Sequence, residues 1–135
     1  MTILRTYARL WADDVESALP LLRRLTGQEP HLRFAFQGVD LAAVGDFLVI
    51  AGPAEERAQY AHASATVVVD DLDALRATLE DAGAVLTTPL TEGGTGRFLY
   101  ARHPDGSGVE YVEWAPELVR EVLGAGEHRG LGTPR

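Results

Sequence analysis

The sequence predicts an α+β fold made of two βαβββ modules, and three observations carry the prediction. An acidic strand-to-helix junction occurs twice, Asp13-Asp14-Val15-Glu16 and Asp70-Asp71-Leu72-Asp73, at an offset of 57 residues. Each junction follows a β-rich run and opens a helix with an apolar stripe. Each helix is then followed by three short strand-like runs bounded by glycine or proline. The superposition also matches Ala18 to Leu75, Leu22 to Leu79 and Leu25 to Ala82. Such a repeat lets each half bury the apolar sheet face that it exposes alone.

The elements follow in order. Thr2 to Ala12 alternates like a strand, with Ile3, Arg5, Tyr7, Arg9 and Trp11 on one face and Leu4, Thr6, Ala8 and Leu10 on the other. In "DDVESALPLLRRLTG" the acidic start, the leucines, Arg23-Arg24 and the terminal Gly27 mark both ends of a helix. Pro20 belongs in a first turn, so the expectation is a helix proper from about Ser17, with Asp13 to Glu16 as a preliminary turn. "LRFAFQG", "VDLAAVG" and "DFLVIAG" read as an antiparallel meander, and "GPAEERAQYAH" as a polar connector. "SATVVVDD" is a strand, and "DDLDALRATLEDAG" is a helix with Leu72, Leu75 and Leu79 inward and Gly83 as its stop. "AVLTTP", "GRFLYARHP" and "GVEYVEW" are three further strands. The expectation is one domain over 1–124, with modules at about 1–52 and 61–115, a short docked helix at 116–123 and a disordered glycine-rich tail at 125–135.

Composition narrows the function. The chain has 135 residues, 46% of them hydrophobic, enough for a core of its own. A net charge of −8 argues against nucleic acid and anionic membranes as partners. The chain has no cysteine, which excludes disulfides, thiolate metal sites and cysteine nucleophiles. Arg5 and Arg9 break the N-terminus before a signal-peptide core forms, and no run approaches a membrane span. The expected location is the cytoplasm, and the Ala, Arg, Gly and Asp usage suits a GC-rich bacterial genome.

The sharpest local signal is "HPDGSGVEYVEW", a turn entering a strand in which Glu110 takes an inward position among valines. A carboxylate there needs a partner. This turn and strand, with the two Asp-Asp junctions, resemble the vicinal oxygen chelate superfamily, which includes glyoxalase I, extradiol dioxygenases, fosfomycin-resistance enzymes and bleomycin-resistance proteins. The resemblance runs from about Thr2 to Trp114, with His103 in place of the turn's usual first aspartate. It implies two curled antiparallel sheets around a cup-shaped cavity. In metal-using members the ligands come from the first and last strands of each module. Carried over, those positions fall on Tyr7 and Ser64, neither a ligand of the expected kind, and "DFLVIAG" offers no His, Glu or Gln. Glu110 alone survives, so no metal, no cofactor and no catalytic residue is expected.

The candidate ligand-binding residues are Tyr7, Arg9, Trp11, Phe34, Phe36, His62, Ser64, Arg97, Glu110 and Trp114. Tyr7, Arg9 and Trp11 alternate on one strand face; Glu110 and Trp114 share another; Phe34 and Phe36 share a third in the opposite half. Aromatic walls with few polar groups describe a binding pocket. Donors for Glu110 are sought among Arg9, Arg97, Tyr7 and Ser64, and Glu110 is read as an inherited ligand position reused for the pocket's polar network. His31, His103 and His128 are read as solvent histidines, and "EGGTGR" as a lip of the cup. The leading expectation is therefore a non-enzymatic protein that sequesters a bulky aromatic or polycyclic, possibly cationic, natural product, as the drug-binding branch does in antibiotic resistance. The alternative is a metal-dependent glyoxalase- or dioxygenase-type enzyme with an atypical site at Glu110 and His62. A third reading is a regulatory or scaffolding module. The long first strand, read as a poorly protected edge, implies a homodimer whose cups are shared, Tyr7 and Trp11 from one chain and Glu110 and Trp114 from the other.

Overall fold

In chain order the elements are β1 (Ile3–Ala12), α1 (Val15–Thr26), β2 (Leu32–Phe36), β3 (Val39–Val44), β4 (Phe47–Ala51), α2 (Ala54–Ala58), β5 (Ala65–Val69), α3 (Leu72–Asp81), β6 (Val85–Glu92), β7 (Gly96–Arg102), β8 (Gly108–Trp114) and α4 (Pro116–Leu118). The last continues as π-helical turns over Val119–Leu123. This computed structural model describes residues 1–124, and the expected tail at 125–135 lies outside the described residues. The two βαβββ modules are those expected from the repeat. No helix among the described residues is long and apolar enough to cross a membrane.

The strands form one eight-stranded curled sheet in the order β2-β3-β4-β1-β5-β8-β7-β6. In each module the first strand lies parallel to the last, β1 to β4 and β5 to β8, and the remaining pairs are antiparallel. The sheet is therefore mixed, where the sequence suggested purely antiparallel sheets. The modules join where β1 and β5 pair antiparallel. That seam corrects the reading of β1 as a free edge: β1 has a neighbour on both sides, and the edges are β2 and β6.

Local chemistry explains most boundaries. Asp14 caps α1 by accepting from the Ser17 N–H at 2.7 Å, so the helix starts at Val15, earlier than Pro20 suggested. Pro20 sits inside the helix on its exposed side, where the carbonyl it leaves unbonded faces water. The buried stripe of Val15, Leu19 and Leu22 holds the helix despite that loss. Asp71 caps α3 in the same way, accepting from the Ala74 N–H. Gly27 (φ 69°) follows α1 and Gly83 (φ 87°) lies just past α3, both in the left-handed region that favours glycine. β6 runs through Pro89 to Glu92, past the expected stop, because an edge strand loses no ladder bond to a proline. Within the expected connector the helix formers of "AEERA" after Pro53 make one short helix, α2.

Alternation along the strands sorts side chains into layers. On the outer face Val15, Leu19 and Leu22 of α1 pack over the first module on Ala42, Val44, Val49 and Ala51. Over the second module Leu72, Leu75 and Leu79 of α3 pack on Val67, Val69, Leu99 and Ala101. The concave face carries a third cluster, including Tyr7, Ile50, Val68, Phe98, Val112 and Trp114, and Leu123 from the C-terminal helix joins it. Glu113 Oε1 accepts from the Leu72 N–H at 2.8 Å and ties the start of α3 to β8. At the opening of β8, a Cβ added to Gly108 would overlap the His62 carbonyl oxygen. Replacing Gly108 by alanine is expected to lower unfolding free energy by about 1–3 kcal/mol, the usual cost of forcing atoms into a packed site. Urea denaturation with an unchanged m-value checks this.

Candidate active site

The concave face forms a cup with about 650 Å³ of empty space, counted out into its open mouth. Its walls are mainly apolar: Leu32, Phe34, Phe36, Val39 and Leu41 from β2 and β3, Leu48 and Ile50 from β4, and Phe98, Val112 and Trp114 from β7 and β8. Phe36 meets Phe98 edge-on with ring centroids 5.8 Å apart, which closes one side between the two modules. The "EGGTGR" loop forms the adjoining lip. A Cβ added to Gly94 would lie 3.0 Å from Phe34, and one on Gly93 would lie 2.8 Å from Phe98, so the lip can sit this close only without side chains there.

Against this apolar wall stands one polar row fixed by strand register. Tyr7 pairs with Thr66, Thr66 with Glu110, and Glu110 with Tyr100, so four strands each place a polar side chain at the same level. Arg9, one pleat further along β1, reaches across this row. Its guanidinium donates to Thr66 Oγ1 (2.9 Å), the Tyr60 carbonyl (2.9 Å), the Tyr100 hydroxyl (2.7 Å) and Glu110 Oε1 (2.8 Å). Thr66 in turn donates its hydroxyl to Glu110 Oε1 at 2.8 Å. The partner that Glu110 required is therefore Arg9; Arg97, Tyr7 and Ser64 do not fill that role.

Burial separates the two members of this ion pair. The Arg9 side chain is 1% exposed and that of Glu110 is 16% exposed, so the cation is sealed in while the carboxylate still faces the cup. Burial works against the Arg9 charge, yet Glu110 and Tyr100 more than offset it and its pKa rises. Removing one partner of such a pair costs about 3–5 kcal/mol, because the other charge stays behind in an apolar setting. Burial, with the Glu110 charge adding to it, pushes Tyr100 upward and keeps its hydroxyl protonated. A second polar contact lies nearby: the Tyr7 hydroxyl and His31 Nε2 are 2.8 Å apart, and Tyr7 packs against Trp114 with centroids 6.2 Å apart. Burial pushes Tyr7 up to about 12.

Of the ten residues expected to bind ligand, Tyr7, Arg9, Phe34, Phe36, Glu110 and Trp114 line the cup. The other four lie outside its lining. Trp11 is 38% exposed near the end of β1. His62 and Ser64 precede β5 and are exposed, His62 resting its ring on Tyr100 with centroids 4.9 Å apart. Arg97 bonds Glu113 at 3.2 Å and Asp73 at 3.4 Å. Thr66, two residues after Ser64, is the β5 side chain that enters the cup. His31 and His103 are not merely solvent histidines, since His103 Nε2 lies 2.7 Å from the Tyr111 hydroxyl; His128 lies outside the described residues. Tyr60 and Tyr100 were missed. Tyr100 was readable from its alternation with Phe98, whereas Tyr60 contributes a backbone carbonyl from a non-periodic segment. Tyr7, Arg9, Glu110 and Trp114 meet within one chain, where the expectation divided them between two.

A divalent metal does not fit the residues present. Glu110 Oε1 is taken by a guanidinium, the neighbouring positions carry Thr66, Tyr7 and Tyr100, and the described residues hold no group of three or more His, Cys, Asp or Glu side chains able to ligate a metal. That geometry corrects the pairing of Glu110 with His62 as metal ligands.

No family model and no curated protein matches the chain. Among solved structures, an uncharacterised protein from Methanosarcina mazei is 36% identical, with a TM-score of 0.80 over 85% of this chain and 95% of that chain. Methylmalonyl-CoA epimerase from Mycobacterium tuberculosis is 22% identical, with a TM-score of 0.66 over 87% and 92%. Methylmalonyl-CoA epimerase from Streptomyces coelicolor, in complex with 2-nitronate-propionyl-CoA, is 19% identical, with a TM-score of 0.65 over 84% and 99%. The last two likenesses are of fold. These two characterised structures are enzymes, which overturns the expectation of a chain without catalytic activity and lends no support to drug sequestration. The expectation named Arg9 among the donors for Glu110, yet took the aromatic walls as the sign of passive binding.

The tyrosines yield a direct test. All four, Tyr7, Tyr60, Tyr100 and Tyr111, are raised above their ordinary value of 10.0. A spectrophotometric titration is expected to show tyrosinate forming at higher pH in the folded protein than in urea-unfolded protein. Because the folded state holds these protons longer, stability is unaffected below about pH 10 and falls as pH rises toward 12, by about 2 kcal/mol for Tyr7 alone.

Proposed function

The chain belongs to the same family as the Methanosarcina mazei protein, on the fold of the vicinal oxygen chelate superfamily, and from that premise we propose that it is an enzyme that moves a proton on a small carbonyl compound without a metal. The observation that carries this reading is the asymmetry of Glu110: both hydrogen bonds recorded among the described residues fall on Oε1, and the side chain remains partly open to the cup. Oε2 is then the base. It takes a proton from the carbon beside the carbonyl, and the electron pair of that C–H bond moves onto the carbonyl oxygen.

The developing oxyanion is met by Tyr100. Its oxygen already accepts from Arg9, which leaves its own O–H to donate and makes it a stronger donor. The Arg9 guanidinium supplies the positive charge that metal-using members of the fold obtain from an ion. Returning the proton to a different atom of the resulting enolate completes an isomerisation, and returning a solvent-derived one to the same carbon gives exchange. The walls suit a substrate whose body is apolar and whose polar contact is one carbonyl group. The names of the characterised neighbours support this class, since methylmalonyl-CoA is an acyl thioester with an acidic C–H beside its carbonyl.

The test is solvent exchange. Protein in D₂O is incubated with methylmalonyl-CoA and with a panel of neutral acyl thioesters and β-keto esters bearing apolar groups, and deuterium uptake is read by mass spectrometry. Uptake is expected with at least one probe, to fall about 10²–10⁴-fold in Glu110→Gln, and to be unchanged by EDTA. No uptake above the uncatalysed rate, uptake indifferent to Glu110→Gln, or uptake that needs an added divalent metal would each reject the reading.

A further inference from the structure

We propose that the oxygens surrounding Arg9 form a monocation-binding site in their own right, selective for a guanidinium ion, and that Arg9 is its permanently tethered occupant. This goes beyond the reaction above and does not depend on turnover. The four oxygens come from four segments: the Tyr60 carbonyl ahead of β5, Thr66 on β5, Tyr100 on β7 and Glu110 on β8. The cation arrives from a fifth, β1.

The oxygens are held by contacts that do not involve Arg9. Thr66 donates to Glu110 Oε1. The Tyr60 carbonyl also accepts from the Ala63 N–H at 3.3 Å, and its hydroxyl reaches the Gln37 carbonyl at 3.3 Å. Tyr100 is wedged edge-on against Phe98, with centroids 6.0 Å apart, and against the His62 ring. Each of these contacts is independent of the guanidinium.

Charge and geometry select the ligand. One carboxylate among neutral oxygens balances one positive charge, and a divalent ion would leave a net charge in an apolar cup. All three guanidinium nitrogens are used, Nε on Thr66, Nη1 on Tyr60, and Nη2 on both Tyr100 and Glu110. That is the directional fork of a planar guanidinium, which an ammonium cannot reproduce.

Arg9→Ala removes the tether and leaves the cage. Its melting temperature is expected to drop below that of the wild type and to recover in part, saturably, in millimolar guanidinium chloride. Sodium chloride at matched ionic strength and manganese chloride are expected to leave it unchanged, and none of the three salts is expected to raise the wild-type value. If Arg9→Ala does not fold unaided, refolding from urea with millimolar guanidinium is expected to recover folded protein; failure to do so overturns the proposal. Arg9→Lys should melt below the wild type and ignore guanidinium. An Arg9→Lys protein as stable as the wild type, guanidinium no better than sodium, or rescue by manganese would each overturn the proposal.

Discussion

A guanidinium enclosed by hydrocarbon is the constraint from which the rest of this architecture follows. Arg9 is 7% exposed, and its side chain almost entirely buried, on the concave face of a sheet whose other walls are aliphatic and aromatic. Such a charge persists only where oxygens converge on it. The molecule supplies them by placing β1 at the centre of the sheet, so that β5, β8 and β7 lie in sequence beside it at matched register. The row from Tyr7 through Thr66 and Glu110 to Tyr100 is thus a product of sheet order. A slip of one residue in any of these pairings would turn its polar side chain to the outer face and leave the cation short of a partner.

Much of the fold was legible because it rests on local chemistry with a sequence signature. The acidic caps, the glycine stops and the period-2 alternation are each set by a few adjacent residues, and the repeat placed all eight strands. Pro20 misled because its cost is local while the compensation, Val15 and Leu19 packing on the sheet, is not. The edge status of β1 was misread for a related reason. Strand order is a property of long-range pairing, and nothing within Ile3–Ala12 distinguishes a strand flanked on both sides from one left open.

The candidate site was legible in part. A glutamate among valines signalled that a partner existed, and Arg9 was among the side chains weighed for it. What sequence spacing did not resolve was which residues enter the cup from β5. Ser64, Thr66 and Val68 share a parity, and only the register against β1 shows that Thr66 stands level with Tyr7 while Ser64 precedes the strand. Tyr60 contributes through its backbone, which no side-chain pattern reveals. The aromatic walls drew the functional reading toward passive binding, and the polar row emerged only once four strands were laid side by side.

The span of the Arg9–Glu110 contact, 101 residues, has a consequence for how the chain is made. A ribosome releases β1 first, and β4 can pair with it once module one has emerged, yet Glu110 appears only as the last strand is synthesised. Until then the first module holds a buried-to-be cation with no counterion, and closing its apolar wall over that charge is unfavourable. The N-terminal half by itself therefore lacks the carboxylate that the finished molecule sets against its buried cation.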